Sequence, residues 1–534
     1  MQNKRRIEMS TRHGNILNKI IFYGLIFLIV FVPFIPVSTV PLSIEMPWSL
    51  AVTALIVLAL VALWLFKELR QGTFTFTWTP LNLPILAFVI LTLFQLVPLP
   101  PGLLHFFSPA TLDVVKTAGN DDYENISKIL KNDNTTTSLM DNQDLSHDNP
   151  QNKRWHSITL YKYASKVELF RLLIYIGVFF LIVNNVHSKH QIFQIIVSII
   201  FSALAISFLG ILQYVSRTER VFWLLDIKRT NFFGTFSNRD HFACYMAMVI
   251  PLILGLLIIE FLHHTDKESP SRHRPSLITS GHKVLFYVFA IVIMLSSLFL
   301  ARSGGAAFTI MISFLLFAGI MQYRKRLRKL SWMIVPLFII VFGMLLWIGI
   351  RPIIEKLSTT VNVENPSLTA RLEFWKDTLT AAKDFPVFGA GIGVFPFVYP
   401  HYSTVPLEIR GFINHAHNEF FELMLETGAI GFIIILWALY RFVKDTAFYH
   451  IIGLTNGIGH TQTYQKKFGA KESFKKRNDP FIIGTAMGGI IGVISMSIHS
   501  IVDFNFHVPA CAFLLSVLLG ITIVAVHMKH NNIT

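Results

Sequence analysis

The chain has 534 residues, 53% of them apolar and only 14% charged, and its mean hydropathy is +0.54. That balance excludes an ordinary soluble enzyme. The formal net charge of +15 does not point to a nucleic-acid partner, because the basic residues cluster in short loops without the interleaved aromatics that base stacking uses.

In chain order, twelve continuous apolar runs reach or approach the roughly 17–25 residues that cross a bilayer. They cover residues 20–37, 48–66, 83–97, 167–183, 192–215, 242–262, 284–301, 305–323, 332–350, 420–442, 481–502 and 508–526. The third is short, and the fourth carries Glu168 and Arg171. Continuous rather than alternating hydrophobicity predicts helices, not strands. The expected fold is therefore all-α: a polytopic integral membrane protein with about 12 transmembrane helices. Run 20–37 is longer than a signal-peptide core and no small-x-small site follows it, so it reads as an anchor. Cys244 and Cys511 fall inside apolar runs and read as buried hydrophobes.

The runs divide the chain into three helices over 1–97, a loop over 98–166 and six helices over 167–350. A second loop covers 351–419, and three helices over 420–534 enclose a basic loop at 443–480. Loops of one parity hold the dense basic clusters: Lys4 to Arg6, Lys67 with Arg70, Arg272 to Lys283, Arg324 to Lys329, and Lys466 to Arg477. The positive-inside rule places these loops and both termini in the cytoplasm. Loops 98–166 and 351–419 then face outward. The insertion at 117–153 is rich in Asn, Asp and Thr, too polar to bury the surface that would offset chain entropy. No repeat relates the two halves, which counts against transporter folds built by duplication.

Loop 351–419 has an ordered pattern. Residues 371–383 predict an amphipathic helix with Leu372, Trp375, Leu379 and Ala382 on its apolar face and Ser367 or Thr369 as N-cap. Pro386 and the glycines at 389, 391 and 393 end it in a turn. His415-Ala-His-Asn-Glu419 then leads into the run at 420–442, with Gly428-Ala-Ile-Gly431 inside it. Glu419, Glu422 and Glu426 share one helix face, and a solvated first turn favoured by the helix dipole explains them.

On this topology Arg229, Arg239, Arg302, Arg371, His415, His417, Asp503 and His507 lie at or near the outer face, and titratable groups gathered there mark a site. Arg302, in a tight turn between two runs, either snorkels to lipid phosphates or grips phosphate in bidentate fashion. Arg371, in the first turn of its helix, is either solvated or a second such contact. His417 can take a proton near neutral pH. A metal site built from His415, His417 and Glu419 or Glu422 is the competing reading, without His-Glu-x-x-His spacing or a nearby cysteine.

His417-Asn418, nine residues, Gly428, two residues and Gly431 together resemble the signature of the O-antigen ligase and polymerase superfamily. Gln95 to Pro101, Gly234-Thr-Phe-Ser-Asn238, Arg302 beside Ser-Gly-Gly, Arg371-x-x-x-Trp375, Pro386-x-x-Gly-x-Gly391 and His499-x-x-x-Asp503 agree in order. The resemblance implies a class C glycosyltransferase-like fold in the bacterial inner membrane with a periplasmic active site. It implies a glycan donor on undecaprenyl diphosphate and no cofactor or metal. No P-loop or dinucleotide fingerprint occurs. It makes His417 the essential histidine and Arg302 and Arg371 the diphosphate-holding arginines. Asn418, Arg229, Asn238, His415, Glu422 and Asp503 are further substrate-binding candidates. The acceptor is left open between lipid A-core, a growing polysaccharide and a protein hydroxyl, that is, ligase, polymerase or protein O-oligosaccharyltransferase. Transport of the lipid-linked glycan is the reading from another class.

Overall fold

The computed structural model describes residues 2–35, 48–72, 74–117, 155–226, 231–266, 277–323, 327–355, 368–404, 413–446 and 479–528. Arg229, Ser367, most of the polar insertion at 117–153, most of the basic loop at 443–480, and the clusters at Arg272 and Arg324 to Arg326 lie outside the described residues.

Each of the twelve apolar runs coincides with a helix. In chain order these are α1 (Gln2–Phe31), α2 (Trp48–Gln71), α3 (Asn82–Leu96), α5 (Lys162–Asn185), α6 (Lys189–Val215), α7 (Arg239–Asp266), α8 (Leu277–Ala301), α9 (Gly304–Tyr323), α10 (Ile334–Glu355), α13 (Glu419–Val443), α14 (Pro480–His499) and α15 (Pro509–His527). Three further helices are α4 (Pro101–Phe107), α11 (Leu368–Asp384) and α12 (Phe395–Tyr402). Ten helices among the described residues are long and apolar enough to cross a membrane, and α5 is one of them despite its Glu168 and Arg171. The third run forms a shorter helix of 15 residues. A two-stranded antiparallel ribbon, β1 (Arg220–Val221) with β2 (Leu225–Asp226), follows α6. The protein is an all-α, multi-pass membrane protein.

The chain forms two compact units. The first comprises Met1–Asn82, Arg171–Asn365 and Leu439–Thr534, the second Leu83–Phe170 and Pro366–Ala438. Within the first, α7 is apolar around its whole circumference, and its apolar window is 100% buried. A helix with no polar face belongs at the centre of its bundle. It packs against α14 through small residues. A Cβ on Gly255 would overlap the carbonyl of Gly484, and one on Gly488 would lie 2.8 Å from the carbonyl oxygen of Pro251. Close backbone approach of this kind replaces hydrophobic drive as the source of helix association in lipid. Serine pairs add hydrogen bonds across helices: Ser313 to Ser495 at 2.6 Å and Ser297 to Ser207 at 3.2 Å.

The second unit has its own core, in which Phe374, Phe385, Phe395, Val398, Tyr399 and Leu425 are buried together. Helix α11 begins at Leu368, so Thr369 lies inside it and is not its cap. Its buried face is also rotated from the predicted one. Phe374, Asp377, Thr378 and Ala381 are buried, whereas Leu372 is 53% exposed. Asp377 tolerates burial because Thr404 donates to it from its backbone N–H at 2.9 Å and its hydroxyl at 3.1 Å.

Candidate functional site

In the second unit the candidate residues converge at the start of α13. Asn418 caps it: its Oδ1 accepts the amides of Phe420 and Phe421 at 3.0 and 3.1 Å, satisfying N–H groups that a helix start otherwise leaves open. His417 precedes the cap with φ of +50°, left-handed backbone that costs a non-glycine residue about 1–3 kcal/mol and persists only where the surroundings enforce it. Helix α11 supplies that enforcement. The indole Nε1 of Trp375 donates to the His417 carbonyl at 3.3 Å, and the Phe374 ring stacks on the imidazole at 6.5 Å between centroids and 29° between planes. Arg371 stands one helical turn before these two residues.

His415 has a different role. Its Nδ1 lies 2.8 Å from Glu422 Oε1, while Glu422 Oε2 accepts the backbone N–H of Ala416 at 2.8 Å. One carboxylate thereby holds both ends of the His415–Ala416 step. The three glutamates are not a solvated face: Glu419, Glu422 and Glu426 are 5%, 1% and 3% exposed. Glu426 Oε1 accepts the N–H of Phe395 at 3.0 Å, which anchors the start of α12. Burial, and then the bond to Asp384, push the Tyr402 hydroxyl up, so this tyrosine is no base near neutral pH.

The glycines of the sequence pattern build the frame. Gly428 is non-helical, with φ of 63° and ψ of −167°, and breaks α13. Carbonyls freed before the break accept N–H groups from the 386–393 turn: Ala390 to Leu425 at 2.9 Å and Gly391 to Glu426 at 3.0 Å. The amides of Ala429 and Ile430 donate back to Pro386 and Val387 at 2.8 and 3.3 Å. Gln95, buried at the end of α3, completes the knot. Its Nε2 donates to the carbonyls of Phe388 and Glu426, and its Oε1 accepts from the N–H of Ile392 at 3.2 Å. A buried amide in an apolar run just before a proline was the signal for this residue, but its partners are 293 and more positions away.

The remaining candidates belong to the first unit. Arg302 terminates α8 with φ of +56°, and its Nη2 donates to the Tyr214 hydroxyl at 3.2 Å. Asn238 caps α7, its Oδ1 accepting the N–H of Asp240 at 2.9 Å. Asp503 is 1% exposed, with one oxygen 3.7 Å from His241 Nε2 and the other accepting the N–H of Phe504.

Residues 289–436 match the family described as O-antigen ligase. This stretch is an O-antigen ligase family domain. The matched region holds Arg302, Arg371, His417, Asn418, Glu422 and the Gly428 break. An uncharacterized protein of Haemophilus influenzae is 26% identical over 200 residues, 33% of this chain. That match spans about half, 49%, of the relative's own length.

Proposed function

We propose that this protein is an O-antigen ligase-like glycosyltransferase, metal-independent, that moves a glycan from undecaprenyl diphosphate to an acceptor hydroxyl on the periplasmic face of the bacterial inner membrane. The fold class is the class C type that the family resemblance implies. The observation that carries the reading is His417, an imidazole held in a left-handed step between a capped helix and the Trp375 hydrogen bond. Strain of this kind is retained at functional positions.

In the proposed step the imidazole takes the proton of the acceptor hydroxyl as its oxygen bonds to the anomeric carbon. The bond from that carbon to the diphosphate oxygen breaks, and the lipid diphosphate leaves with the electron pair. Arg371 and Arg302 take the diphosphate role by resemblance. Guanidiniums match phosphate bidentately and stabilise the charge that builds on the leaving group. The energy lies in the bond between the sugar and the diphosphate, a good leaving group, so no nucleotide is consumed.

The deciding assay combines purified protein, an undecaprenyl diphosphate-linked glycan and an acceptor, with and without chelator. Transfer should survive chelator and disappear in His417→Ala. Full activity of that variant would sink the mechanism, and chelator-sensitive transfer would restore the metal reading of His415 and His417. Surface glycans of a deletion strain separate the acceptors: bare, uncapped core marks a ligase, core carrying single repeats a polymerase, and an unglycosylated protein a protein O-oligosaccharyltransferase.

A further inference from the structure

We propose that a cavity at the end of α6, in the first unit, is a sugar subsite organised by Gln213. The cavity measures about 550 Å³ and is lined by Gly210, Gln213, Tyr214, Thr218 and Phe233 among others, a volume within the roughly 300–1,000 Å³ of small-molecule sites. Gln213 is 3% exposed, yet among the described residues neither its Oε1 nor its Nε2 has a hydrogen-bond partner. A buried carboxamide without partners costs free energy, and in an apolar run it is a site signal by default. Its chemistry defines the ligand. It offers one acceptor and two donors and no charge, which suits vicinal hydroxyls or an acetamido group, while Arg217 is the charged residue of the lining.

The rest of the wall fits a pyranose. Phe233 is laid against α6 because residue 210 is glycine, since a Cβ there would overlap the ring. The turn at Gly234, with φ of +60°, and the paired backbone bonds between Phe233 and Phe236 at 3.0 and 3.1 Å hold the ring in place. An apolar ring surface beside a polar amide matches the two faces of a sugar, C–H on one and hydroxyl on the other. The Tyr214 wall is the residue that Arg302 bonds. A glycosyl diphosphate therefore has its first sugar on Gln213 and its phosphate towards Arg302. This assignment rests on the donor reading above. Arg217, which also lines the cavity, and Phe222 and Trp223, which follow it in the chain, hold left-handed φ of 53°, 55° and 59°, so the turn that closes this end of α6 is itself strained.

The test measures binding of three probes to purified protein: undecaprenyl diphosphate, and the same lipid carrying N-acetylglucosamine or galactose. At least one sugar-bearing probe should bind the native protein roughly tenfold more tightly than the bare lipid diphosphate, the scale of a neutral hydrogen-bond pair. Gln213→Leu, which keeps the volume, should erase that gain and leave the bare-lipid affinity unchanged. Gln213→Asn, which withdraws the amide by one methylene, should lose most of it, and melting curves in detergent verify that both variants fold. Equal binding of all three probes by the native protein, or an undiminished gain in Gln213→Leu, overturns the subsite while leaving the transferase reading in place. Saturation-transfer NMR with the methyl glycosides of both sugars separates the two readings. Saturation of a glycoside that Gln213→Leu abolishes supports the subsite even if no lipid diphosphate binds, whereas no glycoside signal together with no lipid binding removes it.

Discussion

A left-handed histidine gives two substitutions that chemistry treats alike and backbone energetics does not. His417→Ala and His417→Gly should both lower transfer by about 10²–10⁴-fold, the usual contribution of a positioned acid or base. Glycine relieves the φ of +50° and alanine does not, so His417→Gly should melt higher, by the equivalent of about 1 kcal/mol. Equal activity of either variant and the native protein would remove His417 from the chemistry. Arg371→Lys should transfer poorly, because lysine keeps the charge and loses the planar fork. Arg302→Lys should follow it if the guanidinium grips phosphate, and should be nearly harmless if it only snorkels. Glu422→Ala acts differently. It strands the Ala416 N–H and the His415 ring, which Glu422 holds at 2.8 Å each, so a stability loss of about 1–3 kcal/mol should appear in thermal melts alongside lost transfer.

Among elements, α13 and the 386–393 turn share one set of hydrogen bonds. Gly428→Ala would place a Cβ against the Val387 carbonyl and strain a φ of 63°; the expected result is low yield of folded protein in detergent, with His417 untouched. Gln95→Leu should be nearly as harmful, since the Ile392 N–H and the Phe388 carbonyl lose their partner, each orphan costing about 1–3 kcal/mol, while the Glu426 carbonyl keeps the Gly391 N–H. The sequence showed that these elements exist, because hydrophobic run length and glycine position are local properties. It did not show the burial of Glu422 and Glu426, because their partners, the amides of Ala416 and Phe395, are brought to them only by folding. The rotated face of α11 has the same origin. Asp377 reads as surface until Thr404 arrives to satisfy it, and Leu372 reads as core until the chain leaves it uncovered. Of the candidate residues, His417, Arg302, Arg371 and Trp375 stand in motif order, whereas Glu426 acts through the Phe395 amide, a contact that no spacing encodes.

For the molecule as a whole, the charge bias commits to a topology. Reporter fusions at Asn142 and Glu364 should read periplasm, and fusions at Lys329 and Lys471 cytoplasm; a cytoplasmic signal at Glu364 would remove the outer-face placement of His417. Sidedness is set by loop charge, but the bundle of the first unit is set by α7 and α14, whose backbones meet at Gly255, Gly484 and Gly488. Where main chains touch, no layer of side chains is left to rearrange, so substitutions there are ranked by bulk instead of by oiliness. Gly488→Ser should be milder than Gly488→Val, although valine is the more lipid-soluble of the two. Lipid-facing positions obey the opposite order, and a scan of α14 scored only for residue size would trace the inner edge of this helix pair.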